Sequence, residues 1–293
     1  MNGGRSSSAS EQQVPGRSGE GVMPLTGTDE EQVTAAQQSV NVLEGMRALV
    51  IGVANEHSIA WGCAKEMHRA GAEIAMTYLN EKARQYVEPL AREVDARVFL
   101  PLNVQDPAEL DALFTAVDAA WGRMDILVHS IAFAPHEALN GRVTDCPRDG
   151  FLTAMEVSCW SLLDMARRSE KLMRGGGTIL TMSYLGADVV IENYGVMGPV
   201  KAALEASVRY LATELGPKNI RVHAISPGPL ATRAASGIPE FDRLMERVAH
   251  RAPERRLVTI PEVGAAAVFL ASPYARGMTG GTVFVDGGYH ILG

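Results

Sequence analysis

Hydrophobic positions along this 293-residue chain fall into two regimes that meet near Met46. Beyond that point, short β-rich apolar runs alternate with longer stretches in which apolar residues recur every three to four positions. The runs predict strands at 47–51, 73–77, 97–102, 125–129, 178–182, 220–225 and 282–285. The periodic stretches predict helices at about 58–70, 80–94, 106–121, 150–174, 194–215 and 261–272. Continuously apolar strands separated by helices imply a parallel sheet covered on both faces. The expected architecture is therefore α/β: a single Rossmann-like, doubly wound domain over residues 46–293 with a seven-stranded parallel sheet. In such a fold the ligand sits beyond the carboxyl ends of the strands.

Residues 1–45 read differently. They are rich in Ser, Gly and Gln and hold no sustained apolar period, so they cannot offset their ordering entropy and are expected to form a disordered extension. Thr28-Asp-Glu-Glu31 resembles a helix start within it. The extension carries two arginines against six acidic residues, which is more than half of the chain's formal charge of −7.

At 46% hydrophobic and 21% charged residues, the chain is neither a disordered polymer nor a disulfide-stapled miniprotein. No apolar run of about 18 residues and no charged-then-apolar leader is present, so no membrane association is expected. Cys63, Cys146 and Cys159 are odd in number and widely spaced, which fits free thiols in a reducing cytoplasm. The acidic balance argues against nucleic acid as a partner, and the seven histidines show no ligand spacing, so no metal is expected.

Candidate chemistry clusters at strand ends. After the first strand, Gly52 permits a tight turn, Ser58 is placed to cap the next helix and to meet phosphate oxygens, and Ala60 and Gly62 allow close packing. The second strand ends at Leu79-Asn80, with neither the acid that holds a ribose nor an arginine for a 2′-phosphate; NADH is favoured over NADPH, with Lys82 nearby. Asn103-Val104 follows the third strand, and Ser130-Ile131-Ala132-Phe133-Ala134 follows the fourth. The strongest group is Ser183-Tyr184-Leu-Gly186 followed by Tyr194-x₆-Lys201. Seven residues turn a helix by about 700°, which places Tyr194 and Lys201 on one helical face. A phenol is a good donor to an oxygen that is gaining negative charge, and an ammonium beside it strengthens the donor and can grip ribose hydroxyls.

With those residues in place, the chain resembles the short-chain dehydrogenase/reductase superfamily and, more narrowly, the bacterial NADH-dependent enoyl-acyl-carrier-protein reductases. The resemblance covers about residues 45–291 and rests on Gly52-x₅-Ser-Ile-Ala, His129-Ser-Ile, Ser183-Tyr-Leu-Gly-Ala, Tyr184-x₉-Tyr194-x₆-Lys201, Ala224-Ile-Ser-Pro-Gly-Pro, Ala234-Ala-Ser-Gly-Ile and Val285-Asp-Gly-Gly. It implies hydride transfer from a reduced nicotinamide to the β-carbon of a trans-2-enoyl thioester held on a carrier protein or coenzyme A. It further implies that Tyr194 donates to the thioester oxygen, that Lys201 holds the nicotinamide ribose and that Tyr184 borders the acyl site with Phe133 and Ala134. Gly52, Ser58, Ile59, Leu79, Asn103, Val104 and Ile131 would surround the cofactor, with Leu230, Ala231, Thr232, Arg233 and Ala234 on its nicotinamide side. The family's usual assembly is a homotetramer, with the helices at 106–121 and 150–174 as candidate contacts.

Departures from the family pattern carry expectations of their own. Asn103 replaces a usual Asp, and Ala132 replaces a common Gly and adds a methyl in a tight place. Pro199 falls inside the 194–215 helix, where it would kink the axis and displace the Lys201 ammonium. Pro239 and Asp242 thin the basic patch that relatives offer to a carrier protein, though Arg243 remains. A specialised paralogue fits these changes. A carbonyl or imine reductase and a non-catalytic dinucleotide sensor are the rival readings.

Overall fold

Strands β1 (Arg47–Ile51), β2 (Glu73–Tyr78), β3 (Val98–Pro101), β4 (Ile126–His129), β5 (Gly177–Met182), β6 (Ile220–Pro227) and β7 (Thr282–Val285) form one sheet. All pairings are parallel, in the order β3-β2-β1-β4-β5-β6-β7. The chain reverses its direction of travel across the sheet between β1 and β4, which opens a crevice at their carboxyl ends. The computed structural model describes residues 41–232 and 240–292 together with Met1. The extension expected over residues 1–45, including Thr28–Glu31, lies outside them except for Met1 and residues 41–45. That last stretch is a turn in which Leu43 is fully buried and its N–H donates to the Ala70 carbonyl at 2.9 Å. The folded body thus reaches further toward the N-terminus than Met46.

Successive strand side chains alternate between two cores, as the pleat requires. On one face Val50, Ile74, Val128 and Ile225 pack against α1 (Ile59–Arg69), α2 (Glu81–Glu93) and α9 (Ile260–Ala271). On the other, Leu49, Ile51, Leu127 and Val222 pack against α3 (Pro107–Trp121), α6 (Ser161–Leu172) and α7 (Met197–Leu215). A short helix α4 (His136–Leu139) and α5 (Arg148–Met155) stand above the strand ends, and α8 (Phe241–Arg251) is a helix that the periodicity reading did not anticipate. Helix ends follow local chemistry. Asn80 accepts from the Ala83 N–H at 3.0 Å to start α2, and α3 opens on Asp106-Pro107 and closes at left-handed Gly122.

Two expected helices are corrected. The stretch 150–174 is not one continuous helix: α5 passes into a π-helical turn, Glu156–Trp160, before α6 begins, and α6 ends at Leu172. Nor does the helix after β5 include Tyr194. Asn193 (φ 62°) and Gly195 (φ 54°) are left-handed, so α7 starts only at Met197. Pro199 is therefore the third residue of the helix, where the N–H has no intrahelical acceptor to lose, and its exposed ring neither kinks α7 nor displaces Lys201.

Candidate active site

Glycine 52 closes the first turn of the crevice. Its φ of +106° favours glycine, and a Cβ there would lie 2.0 Å from the Ser130 carbonyl oxygen, so the ends of β1 and β4 approach as no other residue would allow. Ser58 occupies the N-cap position of α1 but does not cap it. Its hydroxyl accepts instead from the Ala54 and Asn55 N–H groups at 2.9 and 3.0 Å, folding the Gly52–Ser58 turn on itself. The first turn of α1 is left without a side-chain cap, the state in which a helix N-terminus receives an anion.

Other expected cofactor residues ring this crevice at different depths. Leu79 is 59% exposed at the end of β2. Arg84, near that strand end, lies over the Tyr78 ring and pairs with Glu81 and Glu88 at 3.5 and 3.4 Å. Asn103 is exposed; its N–H donates to Glu109 at 2.5 Å and its side-chain oxygen accepts from the Gln105 N–H at 3.1 Å. Val104 and Ile131 are half-buried against the core on the α3 side, and Ile59 against the opposite one. Ala132 is exposed, so its methyl meets no crowding from the protein. Leu230 is buried, Ala231 exposed and Thr232 between them, while Arg233 and Ala234 lie outside the described residues.

The two tyrosines and the lysine converge at the end of β5. Tyr184 lies two residues beyond the strand, and its ring meets that of Tyr194 edge to face with centroids 4.9 Å apart. Tyr194 is held in this orientation by space at Gly186, where a Cβ would come within 2.4 Å of the Tyr194 ring. Lys201 reaches the same strand end from the first turns of α7: it is only 4% exposed, and its Nζ donates to the Met182 carbonyl at 2.6 Å. An ammonium has three donors, and this bond uses one. The convergence that a shared helical face was expected to give is instead produced by the turn before α7 and by this tether.

Burial sets the charge states. It pushes the Tyr194 phenol well above its usual range, with Tyr184 adding to the effect, and raises Tyr184 likewise with a smaller push from Tyr289. Both phenols stay protonated and can donate. Burial pulls Lys201 down to about 8, opposed by Cys159 and Glu205. His129, at the end of β4, is lowered to about 3 by burial and then by Lys201, so it is neutral. Its Nδ1 lies 2.9 Å from Thr181 Oγ1 and its Nε2 2.8 Å from Ser161 Oγ. Since Ser161 donates its hydrogen to the Val157 carbonyl at 2.7 Å, Nε2 carries the imidazole proton.

An apolar wall surrounds the tyrosines: Ala138, Ala154, Val196, Met197 and Val200 are buried with Tyr194, and Ala134, Leu139 and Met155 pack against them. Phe133 projects at 52% exposure, while its backbone N–H and carbonyl are both bound by Ser158 Oγ of the π turn, at 2.9 and 3.0 Å. Sequence reasoning missed Ser158, Glu205 and Tyr289. Each acts through tertiary proximity that no local spacing records. At the end of β6, in register with the Ser183 peptide, Ser226 Oγ is buried with no hydrogen-bond partner among the described residues. An uncapped helix terminus, a glycine-tight crevice and spare ammonium donors fit a phosphate- and ribose-bearing dinucleotide.

Comparison with known proteins decides the family. The model described as enoyl-(acyl carrier protein) reductase matches residues 52–290. The chain belongs to this family. It is 46% identical over 87% of its length to enoyl-[acyl-carrier-protein] reductase [NADH] 1 of Rhizobium meliloti, covering 94% of that protein. It is 48% identical to the Synechocystis NADH enoyl-[acyl-carrier-protein] reductase over 86% of its length and 98% of the relative. Among solved structures, the Anaplasma phagocytophilum reductase in complex with NAD superposes with a TM-score of 0.83 at 46% identity, over 86% of this chain and 96% of the other. The Bacillus cereus reductase, solved with NADP+ and an indole naphthyridinone, gives 0.84 at 46% identity over 86% and 99%. Among the described residues no group of His, Cys, Asp and Glu is arranged to hold a metal, and no helix is long and apolar enough to cross a membrane.

Proposed function

We propose that this protein reduces the C=C bond of a trans-2-enoyl thioester carried by an acyl carrier protein, with NADH, in the building of fatty-acyl chains. The observation that carries the reading is the edge-to-face Tyr184–Tyr194 pair beside the tethered Lys201 at the carboxyl end of β5. When bound, NADH supplies the hydride. The buried, protonated Tyr194 hydroxyl donates to the thioester oxygen as negative charge builds there, in surroundings that exclude water and so strengthen the bond. Lys201 offers its two remaining N–H donors to the nicotinamide ribose. Tyr184, Phe133 and Ala134 border the acyl group; Gly52, Ser58, Ile59, Leu79, Asn103, Val104, Ile131, Leu230, Ala231 and Thr232 surround the cofactor.

NADH is favoured over NADPH because Arg84 is already paired with two acids and Asn80 is engaged in capping α2. A homotetramer in the cytoplasm accords with family membership, the exposed Trp160 and Tyr210 rings and the free cysteines. The retained Arg243 is paired with Glu240 at 3.0 Å and Arg247 with Glu192 at 3.3 Å, which supports a carrier-docking face of reduced net charge.

The test follows cofactor absorbance with crotonyl thioesters on acyl carrier protein and on coenzyme A, with NADH and NADPH in parallel and the product identified by mass. A saturated thioester formed with NADH supports the reading. An alcohol or amine product from other carbonyl or imine substrates, or tight NADH binding without oxidation, overturns it.

A further inference from the structure

Three consecutive residues at the end of β5 are each held by a different part of the site. The Met182 carbonyl accepts from Lys201, and the Tyr184 ring packs on Tyr194. Between them, Ser183 donates its hydroxyl to Glu205 Oε1 at 2.5 Å, while its N–H donates to the Ile225 carbonyl at 2.7 Å. Glu205 lies on α7 four residues beyond Lys201, one helical turn along the same face. We propose that Glu205 is a positioning residue that ties the Ser183–Tyr184 segment to α7 and supplies the negative charge facing the buried Lys201 ammonium.

A buried ammonium is costly unless opposite charge or strong acceptors face it. The groups around Lys201 are the Met182 carbonyl from β5, the neutral His129 imidazole from β4, the Cys159 thiol from the π turn and Glu205 on its own helix. Among the described residues, Glu205 is the one carboxylate whose charge acts on it. The same carboxylate fixes the residue just before Tyr184, so the placement of the acyl-site ring and the charge of the ribose-binding amine depend on one side chain. This inference rests on the reading of Tyr184 and Lys201 given above.

The two roles separate by substitution. Glu205→Gln keeps an oxygen to accept from Ser183 but removes the charge, whereas Ser183→Ala keeps the charge and removes the tether. The chain has five lysines, and Lys65, Lys82, Lys171 and Lys218 are exposed or half-exposed, so ¹³C-lysine NMR resolves the buried Lys201 and reads its titration without substrate. Glu205→Gln should lower the Lys201 midpoint by about one pH unit, and the alkaline fall in kcat/KM should move with it. Ser183→Ala should leave the midpoint in place and lower kcat. Glu205→Asp, should the Gln variant not fold, must keep the midpoint within about 0.3 units while lowering kcat, since it retains charge but shortens the reach to Ser183. An unmoved Lys201 titration in Glu205→Gln, an equal shift in Ser183→Ala, or full kcat in Glu205→Asp overturns the inference. Because the titration needs no turnover, loss of enoyl reduction in the parent protein would sink the functional reading while leaving this result legible.

Discussion

The Tyr194 ring lies directly over Gly186, with no room for a methyl group between them: a Cβ at residue 186 would fall 2.4 Å from Cδ1 and 2.7 Å from Cε1. Gly186→Ala should therefore push the phenol out of place while leaving its hydroxyl intact. A displacement of about 1 Å typically costs on the order of 10²-fold in turnover, close to the loss of about 10²–10³ expected for Tyr194→Phe. Steady-state kinetics of both variants, with circular dichroism to confirm folding, checks this; an Ala variant with parental kcat would show that the ring's position is immaterial.

Lys201 titrates near 8 in the folded protein against about 10.5 when exposed. Activity that needs the ammonium should fall as pH rises through about 8. Stability should move the other way: between about 8 and 10.5 the unfolded chain binds more protons at this residue than the folded one, so its contribution to stability rises with pH and is lost again on acidification. Lys201→Met should accordingly abolish activity yet melt several degrees higher at pH 7. Differential scanning calorimetry of the variant settles the sign, and a lower melting temperature would contradict it.

Histidines 129 and 223 are both buried and both held below the usual imidazole range, at about 3 and about 4, by burial first and then by Lys201 and Arg221 respectively. Their folded values are depressed, so the stability linked to them is complete above the unfolded value near 6.5 and drains away as pH falls toward 4 and then 3. Urea unfolding at pH 7 and pH 5 should show a clear loss in the parent protein. Replacing His223 with Gln should flatten that slope.

Pro199 is the third residue of α7 and forfeits no helical hydrogen bond. Pro199→Ala should leave kcat within about twofold and lower stability by about 0.4–1 kcal/mol, through a more flexible unfolded chain. Tenfold lower activity would mean that the proline shapes the approach of Lys201.

Much of this molecule was legible in its residues. The central strand 47–51 stands where its apolar run places it, because a strand buried on both faces announces itself by composition, and the half-buried edge strand 282–285 stands where its β-branched and aromatic run places it. Tyr184 and Tyr194, found by spacing, do stack, and Lys201 is tethered to the end of the strand that leads to Tyr184, but by a different route from the one expected. Two left-handed residues keep Tyr194 out of α7, and backbone conformation at Asn193 is not written in hydrophobic period. Ser58 has the identity of a cap and turns upstream instead, since two free N–H groups in its own loop compete for the hydroxyl. The π turn and the Glu205–Ser183 bond were invisible for a simpler reason: each is decided by partners far away in sequence.

That π turn sets a limit on how the chain can vary. Five residues wound more widely add one position to the helical path, so every side chain from Ser161 onward is rotated relative to those of α5. Ser158 grips Phe133 and Ser161 grips His129 only with this offset in place. Dropping a single residue from 156–160 would let the helix run on smoothly, and in doing so would swing both hydroxyls away from their holds and unfasten the floor of the site from the helix above it.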